Sequence, residues 1–298
     1  MTTYEHLFQS TAAKLELPDE ERIFLAETKQ WIPYRLAKRS VDFLSKMLAS
    51  PRQERPQGLL IIAPTGNGKS MIQERFEETH PAQDNPESGK AYVPVLRLEI
   101  TETPTPDLVY SQILKKLYAP ISGTWKDRRT EAITQLGHVQ TKVLLVDEVH
   151  NLQNASAKDR QAILAMLRLF GGIETKINVC LAGTIEAFRM IKWDNELLNR
   201  VDVHRLPIWR DGNDYRELLA TFEALIPLRK PSDLSSDAMA EAILARSDGL
   251  IGEMFKIISR SAAHAIMTGT EAITLKTLAA IDYESPSKRL VEVDDPIA

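Results

Sequence analysis

The sequence predicts an α/β fold in which a parallel five-stranded sheet is flanked by helices. Short apolar runs alternate with helical patterns between residues 58 and 208. Buried strands that are separated by helices are typical of a parallel sheet covered on both faces. After residue 209 the apolar runs stop and only helical patterns follow. We therefore expect an α/β core, preceded by an N-terminal helical extension and followed by a C-terminal helical lid.

Five apolar runs predict the strands of the core. They lie at residues 59–63, 93–100, 142–148, 177–183 and 201–208. Between them, apolar residues recur every three or four positions, which predicts helices. The helical stretches read "SMIQERFEETH", "PDLVYSQILKKLYA" and "DRQAILAMLRLFGG".

Helical patterns also define the regions outside the core. "ERIFLAETKQWI" and "RSVDFLSKMLA" precede it, joined to it by the breaker-rich link "SPRQERPQ". Ser235 and Thr274 are the candidate N-caps of two helices beyond it. The predicted domains are an N-terminal helical extension (1–57), the α/β core (58–208), a C-terminal helical lid (209–283) and a flexible tail (284–298).

Composition limits the classes of protein to consider. The net charge of −4 provides no global basic field that would attract nucleic acid, so any contact with DNA must come from local clusters. The single cysteine, Cys180, excludes a disulfide framework and fits a reducing compartment. The N-terminus lacks the pattern of a signal peptide, and no apolar run approaches the roughly 20 residues that span a bilayer. We therefore expect a cytoplasmic protein without a membrane segment.

The stretch from Ala63 to Ser70 matches the phosphate-loop pattern G-x-x-x-x-G-K-[ST], except that alanine replaces the first glycine. The glycines let backbone N–H groups face phosphate oxygens, and the helix that follows adds its positive end. Lys69 is expected to reach the β- and γ-phosphates, and Ser70 to ligate Mg²⁺. The predicted nucleotide-binding residues are Pro64, Thr65, Gly66, Asn67, Gly68, Lys69, Ser70 and Met71.

The second motif is the acidic stretch "KVLLVDEVH". It predicts a buried strand that ends in Asp147 and Glu148. Asp147 is expected to bind the nucleotide and to hold Mg²⁺ through water, as a Walker B carboxylate does. Glu148 is expected to orient the attacking water. The alternative is that the two acidic residues have no catalytic role and only form a solvated strand end. His150 makes the motif similar to a DExH helicase box, but such helicases need two cores and a longer chain, so we interpret His150 as a strand-exit residue.

A polar residue at the end of the next strand is a candidate sensor of the γ-phosphate. Thr184 is the better choice and Asn178 the poorer one. Thr184 could instead cap the following helix, and the sequence leaves both roles open.

These motifs and the helical lid resemble an AAA+ ATPase. The ordered set "RSVDFLSKML…GLLIIAPTGNGKS", "VLLVDEVHNL…RQAILAMLRLF", "CLAGTIEAFRMI…ELLNRVDVHRLPIW" and "GLIGEMFKIISRSAAHAI" is similar to the TniB/TnsC-type ATPases of transposons. The resemblance covers residues 25–283. It implies a protein that uses ATP and Mg²⁺ to assemble on double-stranded DNA as a ring or helical filament. It also implies two partners, a DDE transposase of the TniA/TnsB type and a TniQ-type adaptor.

The resemblance further implies an arginine finger in "LLNRVDVHRLPIW". Arg200 is the first candidate and Arg205 the second, with a surface salt bridge as the alternative for either. Because the neighbouring subunit supplies such a finger, hydrolysis would require assembly.

The lid departs from the AAA+ pattern, because Gly252 stands where a sensor arginine is expected. Lys256 or Arg260 could take the place of the sensor arginine. The preferred interpretation is that no residue has this role, which implies slow hydrolysis of ATP. Adenine is expected to contact Ile32 and Pro33, which could equally form a helix-packing corner.

Two segments are candidates for DNA contact. The first holds Thr124, Lys126, Arg128 and Arg129 beside an aromatic residue, and the second holds Thr101 and Thr103. Phosphate contacts would give affinity with little sequence preference. The alternative for the first segment is a solvated helix start.

Three functions fit these patterns. The first is a DNA-dependent oligomeric ATPase that regulates transposition. The second is a nucleotide-gated scaffold that hardly hydrolyses ATP, and the third is a protein that resembles a helicase loader. A P-loop kinase of small molecules fits the acidic motif and the lid less well.

Overall fold

The structure, a computed structural model, describes residues 4–52, 56–85, 89–172 and 175–289 of the 298-residue chain. The chain divides into two compact units, one of Met1–Arg35 with Pro207–Ala298 and the other of Leu36–Leu206. In the described residues the helices are α1 (Gln9–Ala12), α2 (Asp19–Glu27), α3 (Arg35–Ala49), α4 (Lys69–Glu78), α5 (Pro106–Lys116), α6 (Trp125–His138), α7 (Ala157–Phe170), α8 (Ile185–Lys192), α9 (Asn195–Leu198), α10 (Asn213–Leu225), α11 (Asp237–Ser247), α12 (Ile251–Met267) and α13 (Leu275–Ala280). The strands are β1 (Gly58–Ile62), β2 (Gln83–Asn85), β3 (Lys90–Tyr92), β4 (Val95–Glu99), β5 (Val143–Asp147), β6 (Asn178–Gly183) and β7 (Val201–Arg205).

The unit Leu36–Leu206 is built on the predicted sheet. Its five strands are parallel and lie in the order β4-β5-β6-β1-β7. Every residue of β1, β5 and β6 is buried, which explains why these strands read as continuous apolar runs rather than as alternating patterns. Because the strands are parallel, the carboxyl ends of β1, β5 and β6 lie at one edge of the sheet.

Alternate side chains of the strands enter two different sets of contacts. Leu60, Leu144 and Leu181 belong to a core cluster that also contains residues of α5 and α7, such as Ile113 and Phe170. The residues between them in each strand belong to the other set. One of these is Cys180, whose sulfur lies 3.8 Å from the side chain of Gln73 in α4. The prediction of a parallel five-stranded sheet flanked by helices is therefore confirmed.

One element of this unit has no counterpart in the sequence prediction. The short strands β2 and β3 form an antiparallel pair between α4 and β4. Each has three residues, which is too short to show a periodicity of its own.

The second unit is helical in its described residues. Helices α2 and α12 pack together, and α12 also contacts α11 and α13. Thr274 caps α13 and forms a capping box with Thr277, as expected. The expectation for Ser235 is wrong, because α11 begins one residue later and its N-cap position is Ser236.

A buried charge cluster joins distant parts of the same unit. The side chain of Arg22 is fully buried and donates to Glu271 and to the carbonyl of Pro227. Arg229 also donates to Glu271, at 2.6 Å. Burial alone would raise the pKa of Glu271, but hydrogen bonds from Arg22 and from the backbone of Arg229 outweigh it and lower the pKa.

Part of two predicted segments lies outside the described residues, namely 53–55 of the link and 290–298 of the tail. The start of the tail is described, and Ser287 and Arg289 there donate to Asp248 and Glu253. Within the described part of the chain, no helix has the length and hydropathy that a membrane span requires.

Candidate nucleotide-binding site

The phosphate loop follows β1 and leads into α4. Gly66 and Gly68 have positive φ angles of 72° and 85°, which a residue with a side chain adopts only at a cost. Ala63 is buried and its N–H donates to the carbonyl of Gly183, so the alanine in place of the first glycine extends the strand without a gap. The loop thus has the backbone turn that the pattern predicts.

Lys69 is held at the centre of this loop. Its Nζ donates to the carbonyls of Ala63 at 3.1 Å and Pro64 at 3.0 Å. Burial lowers the pKa of Lys69, and the charges of Glu148 and Asp147 oppose this shift. The ammonium therefore lies close to the carboxylates of Asp147 and Glu148 at the carboxyl end of β5.

The start of α4 fits an anionic group. Its N-cap residue is Gly68, no side chain caps it, and its first turn contains no acidic residue. The positive end of the helix is therefore open to phosphate oxygens. Ser70 is half-buried in the first turn of this helix, and its role as a metal ligand stays a prediction. Among the described residues there is no cluster of three or more metal-binding side chains, and a P-loop magnesium site does not need one because phosphate and water complete the coordination.

Asp147 and Glu148 follow one another but differ in environment. Asp147 is the last residue of β5, is 3% exposed, and accepts a hydrogen bond from the N–H of Glu148 at 2.8 Å. Glu148 has a left-handed backbone (φ 55°, ψ 32°), which costs a non-glycine residue about 1–2 kcal/mol. Such strain is concentrated at functional sites, and here it turns the second carboxylate out of the strand direction.

His150 lies beside Glu148, in the 3-10 helix Val149–Asn154. Its Nε2 is 3.1 Å from Oε2 of Glu148. The carbonyl of Glu148 accepts from the N–H of Asn151, whose side chain donates to the carbonyl of Ile100. The structure thus gives His150 a specific partner in addition to its position at the strand exit.

The two candidate sensors of the γ-phosphate lie at opposite ends of β6. Thr184 follows the carboxyl end, at the edge of the phosphate loop, and donates to Glu186 at 2.5 Å instead of capping α8 with its side chain. Asn178 begins the strand, is buried, and bonds to Gln57 and Met47. Only Thr184 therefore lies at the edge where a phosphate would bind.

The candidate arginine fingers lie at the two ends of β7. Arg200 precedes the strand and donates to Glu196 at 2.6 Å and to the carbonyl of Gly171 at 3.0 Å. Arg205 ends the strand, is exposed, and its guanidinium lies 5.9 Å from the ring of Phe188. Within the described chain Arg205 forms no ion pair, whereas Arg200 does.

The remaining nucleotide-site candidates belong to the helical unit. Lys256 pairs with Glu253, and Arg260 donates to the carbonyl of Asp282. Ile32 is buried, as is the neighbouring Tyr34, whose ring meets Trp209 edge-on in the same unit. The proposed contacts of Ile32 and Pro33 with adenine stay a prediction.

The first DNA segment forms the start of α6. Thr124 and Asp127 make a reciprocal capping box, and Arg128 binds Asp107 with two hydrogen bonds. Lys126 is exposed and lies 6.0 Å from the ring of Trp125. Two of the predicted contacts, Thr124 and Arg128, therefore already have partners in the protein.

A pocket of about 840 Å³ lies between α5, α6 and α7. Arg128, Arg129 and Thr124 line it, together with Lys158 and apolar residues of α7. Thr101 and Thr103 of the second DNA segment are exposed in the loop after β4.

The sequence did not predict two of the features described above, one in the pocket and one beside the phosphate loop. Lys158 lies in the pocket wall, but nothing in its local sequence distinguishes it from a solvated lysine. The 3.1 Å contact between His150 and Glu148 accompanies a left-handed backbone at Glu148, and no motif encodes that backbone conformation.

The strand order and the two motifs at one edge of the sheet define the class of protein, an AAA+ ATPase fold. The chain belongs to the TniB family, because the family model "Bacterial TniB protein" matches residues 22–211. No curated protein matches the sequence.

Solved structures share the fold at low sequence identity. The ORC1 protein of Aeropyrum pernix in complex with DNA has a TM-score of 0.60 and 14% identity, over 90% of this chain and 69% of that one. The ORC2 protein of the same organism, in ADPNP-ADP complexes, has a TM-score of 0.57 and 13% identity, over 87% and 70%. Cdc6p of Pyrobaculum aerophilum has a TM-score of 0.56 and 14% identity, over 91% and 74%.

Proposed function

We propose that this protein is an ATP-dependent, DNA-binding regulator of transposition. It oligomerises on double-stranded DNA and links the target site to a DDE transposase of the TniA/TnsB type, with a TniQ-type adaptor as a further partner. The observation that carries the proposal is a phosphate loop, with Ala63 at its first position, whose Lys69 lies near Asp147 and Glu148 in a chain of the TniB family. ATP hydrolysis controls the assembly, and the protein acts in the cytoplasm.

The chain's own residues account for the reaction of ATP with water to give ADP and phosphate. Lys69 exchanges its two backbone carbonyl acceptors for the β- and γ-phosphate oxygens. Ser70, and Asp147 through water, would hold Mg²⁺, which would supply positive charge against the phosphates. Glu148 accepts a proton from the attacking water, and Thr184 donates to the γ-phosphate.

Assembly completes the site under this proposal. Arg200 or Arg205 of a neighbouring subunit reaches the transferring phosphoryl group and neutralises its charge, an effect on the order of 10³–10⁵ in rate. Arg200 must release Glu196 to do so, whereas Arg205 has no carboxylate to release within the described chain. A monomer therefore hydrolyses ATP slowly.

DNA contact is assigned to two exposed segments of the α/β unit. Lys126 and Arg129 at the start of α6, with Thr124 and Arg128 beside them, provide positive charge. Thr101 and Thr103 provide hydroxyl donors in the loop after β4. Because the chain is acidic overall, each subunit supplies few phosphate contacts and the oligomer sums them.

One observation favours a nearly non-hydrolysing, nucleotide-gated scaffold as the second candidate function. Gly252 takes the place of a sensor arginine, and both possible substitutes have other partners in their own unit, Glu253 for Lys256 and Asp282 for Arg260. Such a protein would bridge its partners while ATP stays bound.

The proposal is tested by ATPase rates with and without duplex DNA, combined with electron microscopy in a non-hydrolysable ATP analogue. We expect DNA to stimulate hydrolysis and the analogue to give rings or filaments on DNA. Filaments without any stimulated hydrolysis would support the scaffold. A chain that remains monomeric with ATP, Mg²⁺ and long DNA would contradict both functions.

A further inference from the structure

We propose that His150 is a positioning residue for Glu148, holding one carboxylate oxygen so that the other faces the attacking water. This inference rests on the proposed function, because it assigns a partner to the residue that activates water. It adds a second residue of the "DEVH" motif to the hydrolytic step.

The contact itself is specific. Nε2 of His150 lies 3.1 Å from Oε2 of Glu148, and both side chains keep some exposure, 20% and 31% respectively. The contact is made through Oε2, and the described structure shows no ion pair at Oε1 of Glu148. Under the proposal, Oε1 is the oxygen that meets the attacking water.

The other ring nitrogen of His150 faces the protein interior. Nδ1 is buried and has no hydrogen-bond partner among the described residues. The ring therefore presents Nε2, the more accessible nitrogen, to the carboxylate of Glu148.

The backbone holds both residues in this arrangement. Glu148 has its left-handed conformation, and its N–H and C=O are bonded to Asp147 and Asn151. Gly183 approaches the turn so closely that an added Cβ would lie 3.2 Å from the N of His150 and 2.5 Å from Ala187. The turn that carries His150 is therefore packed against the end of β6.

A competing carboxylate near this turn is already bound. Glu186 lies close enough for its charge to interact with His150, but Thr184 donates to it at 2.5 Å. Glu148 is the only carboxylate for which the described structure shows an ion-pair contact with His150.

The test compares two substitutions that separate the donor from the ring. His150→Phe keeps a ring and loses the donor, whereas His150→Gln places an amide N–H near the position of Nε2. We expect His150→Phe to lower kcat for ATP about 10-fold and to change KM for ATP by less than about 2-fold. We expect His150→Gln to keep most of the rate. His138→Phe, at an exposed histidine that ends α6, is the matched control.

A double mutant shows whether the effect passes through Glu148. In the Glu148→Gln background, His150→Phe should cause no further loss of rate. A His150→Phe protein with the wild-type rate would overturn the inference. So would an additional loss in the Glu148→Gln background, or a His150→Gln protein as slow as His150→Phe, since both would indicate a packing role.

The same measurements distinguish this inference from the proposed function. ATP turnover that depends on His150 but is neither stimulated by DNA nor linked to assembly would contradict the proposed function alone. Stimulated turnover that is insensitive to His150→Phe would contradict this inference alone. A wild-type protein without turnover in any condition would contradict this inference while leaving the scaffold function.

Discussion

The ammonium of Lys69 donates a hydrogen bond of 3.1 Å to the carbonyl of Ala63, the residue that replaces the first glycine of the phosphate-loop pattern. The lysine is 5% exposed, so its charge has left water before any nucleotide binds. The backbone carbonyls of the loop partly compensate for this loss of solvation.

Replacement of this lysine should remove nucleotide binding. We expect Lys69→Ala to abolish both the binding of a fluorescent ATP analogue and nucleotide-dependent assembly on DNA, because the charge that meets the β- and γ-phosphates is gone. Lys142→Ala is the control, since Lys142 precedes β5 at the opposite edge of the sheet. Unchanged filaments of Lys69→Ala would exclude the phosphate loop from assembly.

Replacement of the second acid should separate binding from hydrolysis. We expect Glu148→Gln to bind ATP normally and to lose about 10²-fold or more in kcat, because the amide cannot accept the proton of water. Complexes on DNA should then persist longer, which single-molecule residence times would measure. Glu78→Gln changes an exposed carboxylate at the far end of α4 and should have little effect. Normal turnover of Glu148→Gln would assign water activation to another residue.

An arginine finger can be recognised by mixing subunits. We expect Arg200→Ala to bind nucleotide and to lose about 10³-fold in stimulated hydrolysis. Mixed with Lys69→Ala subunits, it should recover part of the rate, because an intact finger then faces an intact phosphate loop. Arg205→Ala is measured in parallel as the second candidate. If neither variant is complemented in mixtures, hydrolysis does not use a finger from this segment.

The start of α6 should contribute a salt-dependent part of DNA affinity. We expect Lys126→Glu with Arg129→Glu to weaken binding to duplexes of any sequence, and to lower the slope of log K against log salt by about 1 for each lost phosphate contact. The charge-matched control is Lys276→Glu with Lys288→Glu, a double reversal at two exposed lysines of the helical unit. An unaltered salt slope would place the DNA surface elsewhere, with the loop of Thr101 and Thr103 as the next candidate.

The buried pair of Arg22 and Glu271 should make stability depend on pH. The pKa of Glu271 is lowered in the folded protein, so its stabilisation is present above the usual carboxyl range and is lost as the pH falls toward the lowered value. We expect Glu271→Gln to cost about 3 kcal/mol near neutral pH, since it removes the buried carboxylate and leaves Arg22 only the exposed Asp19 as a counter-charge. Urea unfolding from about pH 7 to about pH 3, below the ordinary carboxyl pKa, would measure this.

The control for that experiment is Asp19→Asn. Asp19 also pairs with Arg22, but its side chain is 60% exposed, so its loss should cost about 0–1 kcal/mol. Equal effects of the two substitutions would show that burial does not strengthen the pair with Glu271.

The sequence predicted the sheet most clearly where its strands are buried along their whole length. β1, β5 and β6 produce apolar runs that stand out from the helices between them. The phosphate loop was predictable for a similar reason, since its function depends on adjacent residues. Short elements such as β2 and β3 escaped detection because three residues carry no period.

Contacts that depend on tertiary structure could not be predicted in the same way. Arg128 was expected at DNA because it is basic, but Asp107, 21 residues earlier, meets it once α5 and α6 pack together. The partner of His150 was also hidden, since the neighbouring sequence does not specify the left-handed angle of Glu148. The N-cap of α11 shows a smaller limit, because the helix begins one residue later than the sequence predicted and helix boundaries are uncertain by one or two residues.

Cys180 has a practical consequence for experiments on this protein. It is the single cysteine of the chain, lies fully buried in β6, and burial raises the pKa of its thiol to about 12. Maleimide dyes react with thiolates, so the folded protein should resist labelling. A cysteine introduced at an exposed position such as Lys126 would then carry the only fluorophore, and Cys180 would not have to be replaced first.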